Sequence, residues 1–179
     1  GKSKSPELWP YLFDNLQDPR YSHAASSAII LIGHPILADL DNLFNKMESD
    51  WKAQYKIMRV IGRIGDKQAI RLLKRKIDYP VDNVRHQVMI SLSNMGYQAV
   101  NSEFPNIRQA VEHDIGLMVW IMASTMDLEE EEYCHELALS LTAEIREKIE
   151  RIFLLLSLMY DSQAMKKVRD IMLDGSREE

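Results

Sequence analysis

The chain has 179 residues, 46% of them hydrophobic and 27% charged, with 22 Lys+Arg against 27 Asp+Glu and a net charge of -5 at pH 7. These values exclude a disordered chain and speak against a general nucleic-acid binder, which carries a basic excess. The single Cys134 excludes an intramolecular disulfide and a cysteine-framed zinc site, and the longest nearly apolar stretch, Ile152 to Tyr160, is about half of the ~20 residues a membrane span needs.

Strand formers are scarce: two Thr and eight Val stand against 20 Leu, 17 Ile and ten Met. Apolar residues recur at i, i+3, i+4 instead of alternating, so the expected class is all-α. Gly1-Lys2-Ser3-Lys4-Ser5 reads as a cleavage scar or linker, and the chain is expected to be a piece of a longer protein. Ser5 before Pro6 marks the first helix start, where the missing proline N–H costs nothing. Three segments then end in an apolar residue followed by Gly: Ile32-Gly33, Ile64-Gly65 and Met95-Gly96, spaced 32 and 31 residues apart. Ala25, Ile57 and Val88 lie eight before the Gly, and Ile29, Ile61 and Leu92 lie four before it. These offsets trace one helical face, and each Gly supplies a helix stop. A second apolar helix follows the first two stops, through Ile36-Leu37-Leu40-Leu43-Phe44 and Ala69-Ile70-Leu72-Leu73-Ile77. Asp50, Asp66 and Asp82 stand at N-cap positions. Pro19 and Pro80 fall in turns, and Pro35 opens the helix after Gly33.

From Phe104 the register weakens. Ile107, Val111, Ile115, Met118, Met122 and Met126 make one long apolar face on a helix ending near Leu128. Asp127 reads as an N-cap with Glu130 completing a capping box, and the Glu run 129–132 suits a first helical turn. A helix pair is expected over 130–160, with Glu144–Lys148 and Glu147–Arg151 as i,i+4 pairs. Asp161-Ser162 caps a last helix, Gln163 to Leu173. The layout divides into a linker (1–5), three helix pairs (6–103), irregular helical repeats of the same stack (104–174) and a tail (175–179). It amounts to an α-α superhelix of about nine or ten helices, the second helix of each pair lining the inner surface.

The period and the run Asp82-Asn83-Val84-Arg85, Val88, Leu92, Met95-Gly96 resemble HEAT repeats, although Ser22 and Gln54 occupy the position of Arg85 in the first two units. Glu150 to Ala164, Leu8-Trp9-Pro10-Tyr11-Leu12-Phe13 and Asp18-Pro19-Arg20-Tyr21 are similar to the HEAT-repeat region of certain bacterial membrane proteins. Those proteins resemble ATP/ADP translocases of the major-facilitator type, and some carry a cyclic-nucleotide-binding domain. The resemblance implies a cytoplasmic, non-catalytic regulatory module tethered to the inner membrane through a preceding domain. It assigns no functional residue and no cofactor here.

Charge is unevenly distributed: residues 1–105 carry a net +3 and residues 106–179 a net -8. Lys52, Lys56, Arg59 and Arg63 form one stripe opposite Ile57, Ile61 and Ile64. Lys67, Arg71 and Lys74 repeat the spacing on the next helix, and Asp66 is the only acid between Trp51 and Ile77. Such a ridge suits an acidic protein partner, another domain of the same chain or anionic lipid head groups. A solvated helix back is the ordinary explanation of such a stripe. Nucleic acid is disfavoured because no aromatics interleave.

Enzymes on HEAT-like scaffolds are the competing class. Dimetal hydroxylases use several His-Glu pairs. Here only His135-Glu136 occurs, with Glu131 one turn earlier and Cys134 adjacent, and no third ligand on another element. DNA glycosylases use a basic concave surface with aromatics. Trp51 and Trp120 are expected to pack in the core, which leaves Trp9. Met118, Met122 and Met126 are expected to fill space between stacked helices, an adaptable partner groove being the other use of such a stripe.

Overall fold

The i, i+3, i+4 spacing resolves into helices along the chain. The computed structural model describes residues 5–129 and 135–175, and among the described residues it holds nine α-helices and no strand. The chain divides into two compact units, Gly1–Tyr97 and Gln98–Glu179.

The first unit contains α1 (Trp9–Gln17), α2 (Ser22–Ile32), α3 (Leu37–Lys46), α4 (Trp51–Ile64), α5 (Lys67–Lys74) and α6 (Asp82–Asn94). Successive helices pair as α1 with α2, α3 with α4 and α5 with α6. In addition α4 packs against both α2 and α6, and α3 packs beside α5. The face read from the sequence is the core: Ala25, Ile29, Ile57, Ile61, Val88 and Leu92 are all buried. Burying each large aliphatic side chain contributes roughly 1.5–3 kcal/mol.

Gly33, Gly65 and Gly96 end α2, α4 and α6 with φ of 75°, 75° and 65°. At Gly96 the hydrogen bonds form a Schellman motif: the Gly96 N–H donates to Ser93 O and the Tyr97 N–H to Leu92 O, both at 3.0 Å. Gly62 serves a different need. A Cβ there would stand 2.5 Å from Ser91 Cβ and Oγ, so its absence lets α4 and α6 cross closely.

Caps follow local chemistry. Asp50 accepts the Ala53 N–H at 3.0 Å and Asp66 the Ala69 N–H at 2.7 Å. Asp82 departs from expectation. Val81 is the cap residue of α6, and Asp82 sits inside the first turn, paired with Arg85 at 2.5 Å. Gln54 and Arg85, which share a repeat position, do related work. Gln54 donates to Phe44 O at 3.4 Å and Arg85 to Tyr79 O at 3.2 Å, each reaching back to the preceding helix end or turn.

No single helix among the described residues is long and apolar enough to cross a membrane. Ser22–Ile32 and His34–Lys46 reach that length and composition only together. They bend by 109° at Gly33 and bury Ile29, Ile36, Leu37 and Leu40 in the unit's own core.

The second unit contains α7 (Phe104–Glu129), α8 (His135–Met159) and α9 (Ser162–Gly175). It departs from the sequence expectations in two places. Asp127 lies within α7 and is no N-cap, and Glu130 lies outside the described residues. The helix pair expected over 130–160 is one continuous helix from His135 onward. No Pro or Gly interrupts that span to end it. Glu144 and Lys148 pair at 3.9 Å as expected. Arg151 instead reaches across the α7–α8 interface, donating Nε to Asp114 Oδ2 at 2.5 Å and Nη2 to Oδ1. Both residues are 2% exposed. Asp161 caps α9 by accepting the Ala164 N–H at 2.7 Å. The segment before α7 closes the far end of α8: the Ala99 N–H donates to Leu158 O at 2.7 Å and Gln98 Nε2 to Ser157 O at 3.1 Å. Both carbonyls belong to the last turn of α8, which lacks intrahelical donors.

The long apolar face of α7 is only partly covered. Ile107, Val111 and Ile121 are buried, whereas Ile115, Met122 and Met126 are exposed at 42%, 49% and 71%. The helix bears two adjoining apolar strips, and the buried one contains Asp114. The expectation that Met122 and Met126 fill core space is therefore overturned. Trp120, expected in the core, is 66% exposed, and Trp51 is 41% exposed.

Candidate functional site

The rotation of α4 is fixed by its inward face. Ala53, Ile57, Val60 and Ile61 are buried, which turns Lys52, Lys56, Arg59 and Arg63 outward. Lys52, Arg59 and Arg63 are exposed and Lys56 is half-buried. Because α4 lies between α2 and α6, this ridge has a groove on either side. The first groove, about 270 Å³, lies against α2 and is lined by Ser22, His23, Ser26, Lys56, Arg59 and Arg63, with Pro19 and Val60. The second, about 300 Å³, lies against α6 and includes Tyr55, Arg59, Arg63, Gln87 and Asn94. Arg59 and Arg63 border both.

The seven basic residues named from the sequence do not share one site. Lys56, Arg59 and Arg63 come together along α4. Lys52 lies over the Trp51 ring, 5.7 Å from its centroid. Arg71 and Lys74 line a separate, more open concavity of about 500 Å³ on α5, where Lys74 also stands 5.3 Å from the Tyr97 ring centroid. Lys67 is exposed at the start of α5 and lines none of these three concavities.

Several neighbouring cations are neutralised within the fold. Among the described residues, Arg75 pairs with Asp41 at 3.0 Å and Arg85 with Asp82. Lys76 approaches Asp41 at 3.8 Å and the Phe44 ring at 4.4 Å. Lys56, Arg59 and Arg63 form no ion pair with any described residue. The one nearby acid in sequence, Asp66, is occupied elsewhere. It caps α5 and meets His34 Nδ1 at 3.0 Å. Partial burial pushes its carboxyl pKa up. The Ala69 N–H, the His34 side chain and the Gln68 N–H outweigh that and hold it below the ordinary aspartate value. Its negative charge is thus directed at the start of α5 and not at the ridge.

The contribution of α2 was missed from the sequence. Ser22, His23 and Ser26 lie thirty or more residues before Lys56, and only packing brings them beside it. One signal existed: Ser22 places a short side chain at the position where Gln54 and Arg85 carry long ones that fold back on the preceding helix end or turn. Ser26 Oγ donates to Ser22 O at 2.7 Å, leaving its oxygen as an acceptor, while the Ser22 hydroxyl remains a potential donor to a bound group.

The metal reading gains no support from the described residues, in which no three His, Cys, Asp or Glu side chains are placed to share an ion. Glu131 and Cys134 lie outside the described residues. Comparisons with protein-family models, curated proteins and solved structures found no match for this chain.

Proposed function

We propose that the chain is a non-catalytic HEAT-repeat-like interaction module whose first unit docks an acidic protein segment along the solvent-exposed side of α2, α4 and α6. Within this reading the helix pairs form an α-α solenoid. The module is a cytoplasmic, regulatory piece of a larger bacterial membrane protein similar to the nucleotide translocases, its likeness carried by residues such as Glu150 to Ala164. The observation that carries the docking reading is the set Lys56, Arg59 and Arg63. Three cations without an intramolecular ion pair to any described residue crown a ridge with an open groove on each side. An acidic segment lying along either groove would gain charge-assisted hydrogen bonds that the fold itself does not provide.

The test is fluorescence anisotropy with a labelled Glu-rich helical peptide, at low and high salt. Binding is expected at low salt, weakening as salt screens the charges over a Debye length of about 10 Å at 0.1 M. The triple charge reversal Lys56→Glu, Arg59→Glu, Arg63→Glu is expected to abolish it, while Arg71→Glu on α5 leaves it intact. Equal loss from Arg71→Glu, or no loss from the triple reversal, would refute the docking site.

A further inference from the structure

We infer that the groove between α2 and α4 is a receptor for a phosphoryl group, a reading that rests on the basic ridge being an outward-facing recognition surface and narrows its chemistry. The groove collects three cations, Lys56, Arg59 and Arg63, with the hydroxyl of Ser22 and the imidazole of His23, and no carboxylate lines it. Its volume of about 270 Å³ lies just below the ~300–1,000 Å³ of most ligand pockets, so it suits a compact head group more than a whole nucleotide. Guanidinium forks match the planar pairs of oxygens that a phosphate presents, while Lys acts as a point charge. The groove against α6 shares Arg59 and Arg63 but lacks Lys56, and it offers the neutral Tyr55, Gln87 and Asn94 in place of Ser22 and His23. The two sides of one ridge therefore differ in charge density, and the α2 side is the tetrahedral-anion side.

The experiment is a two-dimensional amide NMR titration of the full chain with inorganic phosphate, and with acetate at matched ionic strength. Saturable shifts at Ser22, His23 and Lys56 are expected for phosphate and not for acetate. Lys56→Gln is expected to weaken phosphate binding about tenfold, as loss of a charge-assisted contact does. Asn94→Ala in the other groove should leave it unchanged. Sedimentation with phosphatidylcholine vesicles, with and without phosphatidic acid, distinguishes the source of the group. Capture by phosphatidic acid assigns a lipid head group, and phosphate binding without capture assigns a soluble phosphate. Equal responses to acetate and phosphate, or no saturable shifts, would overturn the phosphoryl site. The acidic-peptide assay is read independently, so peptide binding without phosphate binding would remove this inference and leave the docking surface standing.

Discussion

Replacing Gly62 by Ala tests the packing of the first unit directly. The new Cβ would stand 2.5 Å from Ser91 Cβ and Oγ and 3.3 Å from Ser91 Cα. That is about 0.9 Å inside the 3.4 Å at which ordinary contact begins. Ser91 Oγ can rotate about χ1, but Ser91 Cβ is fixed to the helix backbone, so no rotamer change relieves that contact. Instead α4 and α6 must separate along the crossing that buries Ile61, Val88 and Leu92. Overpacking of this kind costs roughly 1–3 kcal/mol, from which about 1 kcal/mol is offset by the better helix propensity of Ala. The expected result is a net loss of up to about 2 kcal/mol, or a fall of about 4–8 °C in Tm per kcal/mol for a unit of this size. Gly116 supplies the control. It lies inside α7, and a Cβ there would meet nothing within 4 Å, so Gly116→Ala is expected to stabilise by up to about 1 kcal/mol. Urea denaturation followed by circular dichroism measures both. Ser91→Gly in the Gly62→Ala background should relieve the clash and give a favourable coupling energy in a double-mutant cycle. If Gly62→Ala and Gly116→Ala stabilise alike, the close crossing is not real.

Two further changes address buried charge and capping. Asp114→Ala removes the carboxylate that Arg151 grips in the α7–α8 interface and is expected to cost about 3–5 kcal/mol. The double change Asp114→Leu, Arg151→Met should recover most of that in urea denaturation, and full additivity of the two single effects would contradict the pairing. Asp66→Asn is expected to change the acid limb of stability. The folded carboxyl titrates below the ordinary ~3.9 of an unfolded Asp. Its contribution is therefore complete above about pH 4 and is lost as pH falls through the folded value. The variant should flatten stability against pH in that acid window, and an unchanged slope would count against the His34 and Ala69 contacts as its cause.

Features set by neighbours in sequence were legible, and those set by neighbours in space were not. The caps at Asp50, Asp66 and Asp161 were readable because the accepting carboxylate and the donating N–H are three residues apart. The stops at Gly33, Gly65 and Gly96 were readable because a left-handed φ has few other tenants. The length of α8 is not legible, because an apolar pattern counts faces and does not mark breaks. The exposure of Trp120 and Met126 escapes that pattern for a related reason. Spacing reveals that a helix has an apolar strip, yet the covering partner is a property of the fold, and α8 covers only one strip of α7. The bond from Arg151 to Asp114 joins residues 37 positions apart and left no periodic trace. At the candidate site the cationic spacing along α4 was plain in the sequence. The grooves beside it, and the serines and histidine of α2, exist only once α2 and α6 are laid against that helix.

The clasp formed by Gln98 and Ala99 on the end of α8 has a kinetic corollary. Its side-chain bond spans 59 positions of chain, so it persists only while α7 and α8 stay packed together. The amide of Ala99 sits outside every helix, yet its deuterium uptake should track cooperative opening of the second unit and not the fraying of a loop.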